Sequence, residues 1–181
     1  AFGKLKCSVK DLGVDLLSAS AHKINGPKGI GILYKSKNVH INPLILGGGQ
    51  EGGLRSGTES VPLIAGLRGA IEELPSCDSF QNQMKALRDY AAEKLSSIGC
   101  ITINSAHDAA SHILIISMCG YRSETLLHFL ERKNIFVSSG SACAKGKGSY
   151  VLHEIGLSQK EIDSALRISF GRYNTASDID K

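Results

Sequence analysis

The 181-residue chain contains no tryptophan, and aromatic residues make up only 6% of it. Its interior must therefore be packed with Leu, Ile, Val and Ala. The five cysteines, Cys7, Cys77, Cys100, Cys119 and Cys143, are odd in number, widely spaced and never arranged as C-x-x-C. That pattern argues against a disulfide framework and against a zinc site, so no metal is expected, and a reducing, cytoplasmic setting fits best. Basic residues never run to five in a row and the net charge is a mild +4; no nucleic-acid partner is expected. The longest apolar stretch, around HILIISMC, is too short to cross a bilayer, and no membrane partner is expected. What the chain does have is 42% apolar and 21% charged residues, enough for one medium domain or one domain plus part of another.

Short apolar runs alternate with helical periodicity. VDLLSAS (14–20) reads as a buried strand, HKINGPKG as a turn and IGILY (30–34) as a second strand. After the glycine-rich LGGGQEGGLRSGTES (46–60), Pro62 stands where a first helical turn tolerates it, and Leu63, Ile64, Leu67, Ile71 and Leu74 follow at helical spacing. Composition shifts at PSCDS (75–79). Phe80, Met84, Leu87, Ala91, Leu95 and Ile98 then form one helix face ending at Gly99. CITIN (100–104), HILIISM (112–118) and NIFVSS (134–139) read as strands. Ser123 reads as the cap of ETLLHFLERK, and SQKE (158–161) as a capping box opening a helix through IDSALR. The class is α/β or α+β. Both ends read as cut: Ala1 enters a fold already under way, and a capping box at Thr175 and Asp178 starts a helix that the chain does not complete.

Three segments carry chemistry. Lys23 in SASAHKINGPKG ends a strand, where α/β folds present reactive groups. A lysine amine there can form a Schiff base, and Ser20 and His22 offer donors suited to a phosphate; by spacing alone, an ordinary surface lysine is the better reading. The glycine loop permits close backbone approach to an anion, with Arg55, Ser56 and Thr58 as donors, but it lacks the Gly-Lys-Ser/Thr ending of a Walker loop and also reads as a plain flexible loop. In SSGSACAKGKG (138–148), Cys143 sits among three glycines, three serines and two lysines. A structural thiol prefers apolar neighbours, so Cys143 reads as reactive, with the positive charge of Lys145 and Lys147 favouring its thiolate.

SAHKINGPKGIGILY, GGGQEGGLRSGTES, SSGSACAKGKGSYVL and LRISFGRYNTASDID follow one another in this order. Together they closely resemble the cysteine desulfurases of the NifS/IscS type, in the class V aminotransferase group. The resemblance covers nearly the whole chain but only about the second half of the family's length. It implies a PLP-dependent transferase of fold type I (aspartate aminotransferase-like). Residues 1–80 would be the C-terminal part of the large domain, and residues 81–181 the small domain with its last helix truncated. The implied cofactor is pyridoxal 5'-phosphate (PLP), bound covalently by Lys23, with Ser20 and His22 on its phosphate. Thr58 would reach the phosphate of the neighbouring subunit in a homodimer. Arg167 would pair with the substrate carboxylate, its planar fork giving two parallel hydrogen bonds. Cys143 would take sulfur from L-cysteine as a persulfide, leave L-alanine, and hand the sulfur to an acceptor protein such as an iron–sulfur scaffold. Lys23 and Cys143 would meet in a cleft between the domains.

Two departures accompany the resemblance. Gly52 stands where the family often has arginine, and the cysteine loop is about two residues shorter than in the longer-loop members. The family's ring-binding Asp, Gln and His lie upstream of the matched region. A related class V aminotransferase or lyase acting on another amino acid, and a fragment that only docks with partners, remain the alternative readings. Without the aspartate the cofactor is a weak electron sink, so the isolated 181-residue chain is expected to be inactive. Mixed with PLP, it should develop little bound-cofactor absorbance; a strong band stable to dialysis would contradict this.

Overall fold

Apolar side chains collect in separate clusters on either side of Ser79. The computed structural model describes residues 1–139 and 149–181, which divide into two units, Ala1–Ser79 and Phe80–Lys181.

In the first unit, α1 (Val9–Leu12) is one turn, opened by the Ser8 hydroxyl accepting from Asp11 N–H and closed by Gly13 in the left-handed region. Strands β1 (Leu16–Ser20) and β2 (Gly31–Lys35) pair antiparallel, with Leu16 opposite Lys35 and Ser20 opposite Gly31. A Cβ at position 31 would lie 2.5 Å from the Ala19 carbonyl oxygen, so glycine is what allows this approach. Helix α2 (Val61–Glu72) carries Pro62 in its first turn. The expectation that residues 14–20 form a buried strand needs correcting. Leu16 of β1 is 46% exposed and Leu33 of β2, opposite Ser18, is 55% exposed, because the apolar residues of this unit converge on the turn after β1 and on α2 rather than on the strand pair.

Helix α3 (Cys77–Ser96) runs from the last residues of the first unit into the second. The second unit adds β3 (Ile101–Ile103), β4 (Ile113–Met118), α4 (Ser123–Glu131), α5 (Tyr150–Glu154), α6 (Gln159–Asp163), β5 (Ala165–Ser169) and α7 (Ala176–Ile179). Its sheet is antiparallel in the order β3–β4–β5. Alternation on β4 gives each face of the sheet its own cover. Leu114 and Ile116 join Phe80, Met84, Leu87 and Ala91 of α3, with Leu126 and Leu130 of α4 packed beside them. Ile115 packs instead with Leu152, Ile162 and Ala165. Met84 is 0% and Leu114 1% exposed, so each contributes about 1.5–3 kcal/mol of apolar burial. Ser117, fully buried, accepts from Asn104 Nδ2 at 2.7 Å and donates to the Glu161 carbonyl at 2.7 Å, so its hydroxyl is satisfied in both directions.

Three local expectations are overturned. The helix expected through IDSALR is in fact α6, which begins at the capping box of Ser158 and Glu161 and stops at Asp163; residues 165–169 are strand β5. Pairing with β4 outweighs the local helical signal, because it buries Ala165 and Leu166. NIFVSS forms no strand; only Ser138 makes a bridge, to Arg167, and Phe136 is 77% exposed. Ser123 is the first helical residue of α4 and provides no capping bond.

Arg88 of α3 is 5% exposed and donates to the carbonyls of Ala109 at 2.7 Å and His107 at 3.0 Å, while pairing with Asp89 at 3.2 Å. It fastens the β3–β4 connection to the helix. Arg88→Ala is expected to cost about 2 kcal/mol, read as a lower urea midpoint with an unchanged slope.

Candidate functional site

The turn after β1 is a 3₁₀ helix, Ala21–Ile24. At three residues per turn, side chains three apart eclipse, so Ala21 and Ile24 share the inner face. They are 1% and 3% exposed and pack with Leu67 of α2. His22 and Lys23 are left on the outer, exposed side. Asn25 closes the turn at φ 65°, and Gly26 N–H donates to the Ala21 carbonyl at 2.9 Å. A Cβ at Gly26 would meet Ala21 Cβ at 3.0 Å and Ala70 Cβ at 3.2 Å, tight contacts that glycine avoids without any shift of the turn or α2. Ala21 N–H also donates to Ile30 at 3.1 Å. The outward groups Ser20, His22 and Lys23 thus stand on a turn fixed by what lies beneath it.

Lys4, which carries no motif, belongs to the same neighbourhood. Its amine is held below the ordinary lysine value of 10.5, first by burial and then by the positive charge of Lys23. A second cation next to the candidate imine-forming lysine could not be found from spacing, since nineteen positions separate the two.

Thr58 is exposed on the loop before α2. That loop is tied internally: Gly57 N–H donates to Gln50 Oε1 at 3.0 Å, and Ser56 N–H to the Ile45 carbonyl at 3.2 Å. Ser56 is 5% exposed, and the Arg55 guanidinium donates to the Ser56 carbonyl. Of the three donors expected here, Ser56 is buried while Arg55 and Thr58 are exposed.

In the second unit, Arg167 lies on β5 opposite Ile115 of β4. Its N–H donates to the Ser138 carbonyl at 2.7 Å and its carbonyl accepts from Ser138 N–H at 3.1 Å. The side chain is half-buried, and its Nε is buried without a hydrogen-bond partner among the described residues. Arg167 lines a cavity of about 120 Å³ together with Ile115, Ser149, Val151, Leu152, Ala165 and Leu166. A guanidinium at an otherwise largely apolar cavity, with an unmet donor, suits a planar anion. Lys23 and Thr58 belong to the first unit and Arg167 to the second; Cys143, with Lys145 and Lys147, lies outside the described residues. Among the described residues, no group of three His, Cys, Asp or Glu could hold a metal ion, and no helix is long and apolar enough to cross a membrane.

These segments lie on half of a fold-type-I transferase architecture. The chain matches the family model for aminotransferase class-V over residues 1–181, and it belongs to that family. Within it, the chain is similar to cysteine desulfurases. It is 40% identical over 185 residues to the putative cysteine desulfurase IscS 1 of Bacillus subtilis, covering 99% of this chain and 49% of that protein. Among solved structures, a NifS-like protein superposes with a TM-score of 0.84 at 37% identity, over 98% of this chain and 46% of that one. A structure described as SspA in complex with cysteine gives 0.73 at 37% identity, over 97% and 49%. The chain spans about half the length of these relatives.

The pairing of Lys4 with Lys23 can be tested by titration. Lys23→Met removes one of the two causes that depress the Lys4 amine, so Lys4 should titrate higher, yet still short of the ordinary value because its burial remains. Carbon-13 NMR of reductively methylated lysines reads this directly; an unmoved Lys4 would show that the two charges do not interact.

Proposed function

We propose that this chain is the C-terminal half of a PLP-dependent cysteine desulfurase, which converts L-cysteine to L-alanine and leaves a persulfide on Cys143. The observation that carries the reading is Arg167. A half-buried guanidinium, fixed by its backbone and with Nε unmatched among the described residues, is what a substrate carboxylate would complete. The segments flanking the thiol bear on the same place: Ser138 bonds Arg167 through its backbone, and Ser149 lines the cavity with it. Cys143 lies between them in sequence, five residues after Ser138 and six before Ser149.

The residues of the first unit fit the cofactor by their chemistry. Lys23 supplies an amine able to hold an aldehyde covalently, and Ser20 and His22 supply outward donors for a phosphate. Lys4 adds positive charge suited to a dianion. When bound, PLP supplies an electron sink for the substrate carbon skeleton. Lys23 moves a proton to and from that skeleton, and Arg167 orients the carboxylate. The Cys143 thiolate attacks the substrate sulfur; the carbon–sulfur bond breaks, the carbon is protonated to give alanine, and the sulfur stays on Cys143. Handing it on requires an acceptor protein, such as an iron–sulfur scaffold. Thr58 serves the phosphate of a neighbouring subunit in a homodimer, a role supported by its exposure and by the open Leu44 and Leu46 on the same loop region, 98% and 80% exposed. The unpaired cysteines suit a cytoplasmic, reducing setting.

The test uses the full-length enzyme. After L-cysteine is added, the peptide containing Cys143 should gain one sulfur by mass spectrometry, and Cys143→Ser should abolish alanine release. Arg167→Lys should raise KM for cysteine about 10-fold or more while leaving cofactor absorbance intact, since it loses the bidentate fork. Sulfur accumulating on a different cysteine, or an unchanged KM in Arg167→Lys, would overturn the assignment.

A further inference from the structure

Cys100 and Cys119 belong to no part of the proposed transfer chemistry, and both are free and exposed. They are neighbours through the sheet, not through the sequence. β3 pairs antiparallel with β4, with Ile101 opposite Met118. Continued by one residue, that register sets Cys100 opposite Cys119, and the ladder does continue: Cys119 N–H donates to the Cys100 carbonyl at 3.1 Å. Opposed residues of an antiparallel pair project to the same face, with Cα atoms about 5.5 Å apart at a hydrogen-bonded position. Disulfides bridge Cα separations of about 4.4–6.8 Å. The surroundings are also open. Each cysteine is followed or preceded by glycine on its outer side, and a Cβ built at Gly99 or Gly120 meets nothing within 4 Å. Cys7 and Cys77, by contrast, are half-buried in the other unit.

We propose that Cys100 and Cys119 form an oxidisable dithiol that closes to a cross-strand disulfide. A small-molecule disulfide such as oxidised glutathione is the oxidant. One protein thiolate attacks it, breaking its sulfur–sulfur bond, releasing one glutathione thiolate and forming a mixed disulfide. The second protein thiolate then attacks the protein sulfur of that mixed disulfide and releases the second glutathione. The protein pair loses two protons and two electrons; the oxidant gains both as two thiols. The new bond fastens the short edge strand β3, and the turn that follows α3, to the central strand β4.

The sequence offers a clean readout, because no Lys or Arg lies between Leu95 and Tyr121. One tryptic peptide, Leu95 to Arg122, therefore carries both thiols and no other cysteine. The full-length protein is equilibrated in glutathione buffers from reducing to oxidising, quenched by alkylation and digested. With rising oxidised glutathione, that peptide should lose two alkylation sites together and appear about 2 Da lighter than its reduced, unalkylated form. Cys119→Ser should instead carry a single glutathione on Cys100, and its thermal midpoint should no longer rise on oxidation as that of the unsubstituted chain does. If the unsubstituted chain keeps both thiols open to alkylation, or carries a separate glutathione on each under oxidising conditions, the pair is not a dithiol and the proposal fails.

Discussion

Because the N–H and carbonyl of Arg167 both bond Ser138, and β5 pairs with β4 along its other edge, the sheet fixes where the guanidinium starts, and among the described residues its Nε has no partner. Arg88, by contrast, is fully buried and held through its side chain by the Ala109 and His107 carbonyls. Arg88 has closed its donor set and serves the fold. Arg167 has a buried donor with no partner among the described residues. The cost of leaving such a group unpaired sets these two arginines apart, although both lie in the same unit. It also suits the cavity beside Arg167 to the anion-binding role proposed for it.

The first unit applies the same rule to a lysine. Lys23 gains its orientation from the inner face of its own turn, where Ala21 and Ile24 pack on Leu67. The outer face then needs no contact to stay in place. Glycine at position 26 lets the turn sit against α2, and glycine at 31 lets β2 close on β1. Ser20, His22 and Lys23 are thereby held exposed by backbone and packing beneath them. Lys4 adds to this by concentrating positive charge at one spot, at the cost of a depressed amine of its own.

Strand β4 organises the second unit because its four central side chains serve both faces of the sheet. Leu114 and Ile116 face α3, Ile115 faces the α5 and α6 side, and Ser117 joins Asn104 to the Glu161 carbonyl. The run HILIISM is legible as a strand from its composition alone, as are α2 and α3 from their spacing of Leu, Ile, Phe and Met. Strand β5 is not legible in this way. Its residues follow a strong capping box, and the local signal reads as helix. Only the edge of β4 makes extended structure the better outcome for Ala165 and Leu166. The reverse holds for NIFVSS, whose strand-like composition finds no partner edge beyond one bridge at Ser138.

The chemistry-bearing residue types, their order along the chain and the family to which they point could all be read from the sequence, since these depend on identity and spacing. The local start signals of α2 and α6 could be read as well, because a proline in the first turn or a capping box acts within four residues. Adjacency across the fold could not. That Lys4 feels Lys23, that Arg167 stands on a strand bonded to Ser138, and that Cys100 faces Cys119 all depend on which edges pair and in which register. Those choices are made by burying apolar area over the whole unit, a sum that no local window of sequence contains.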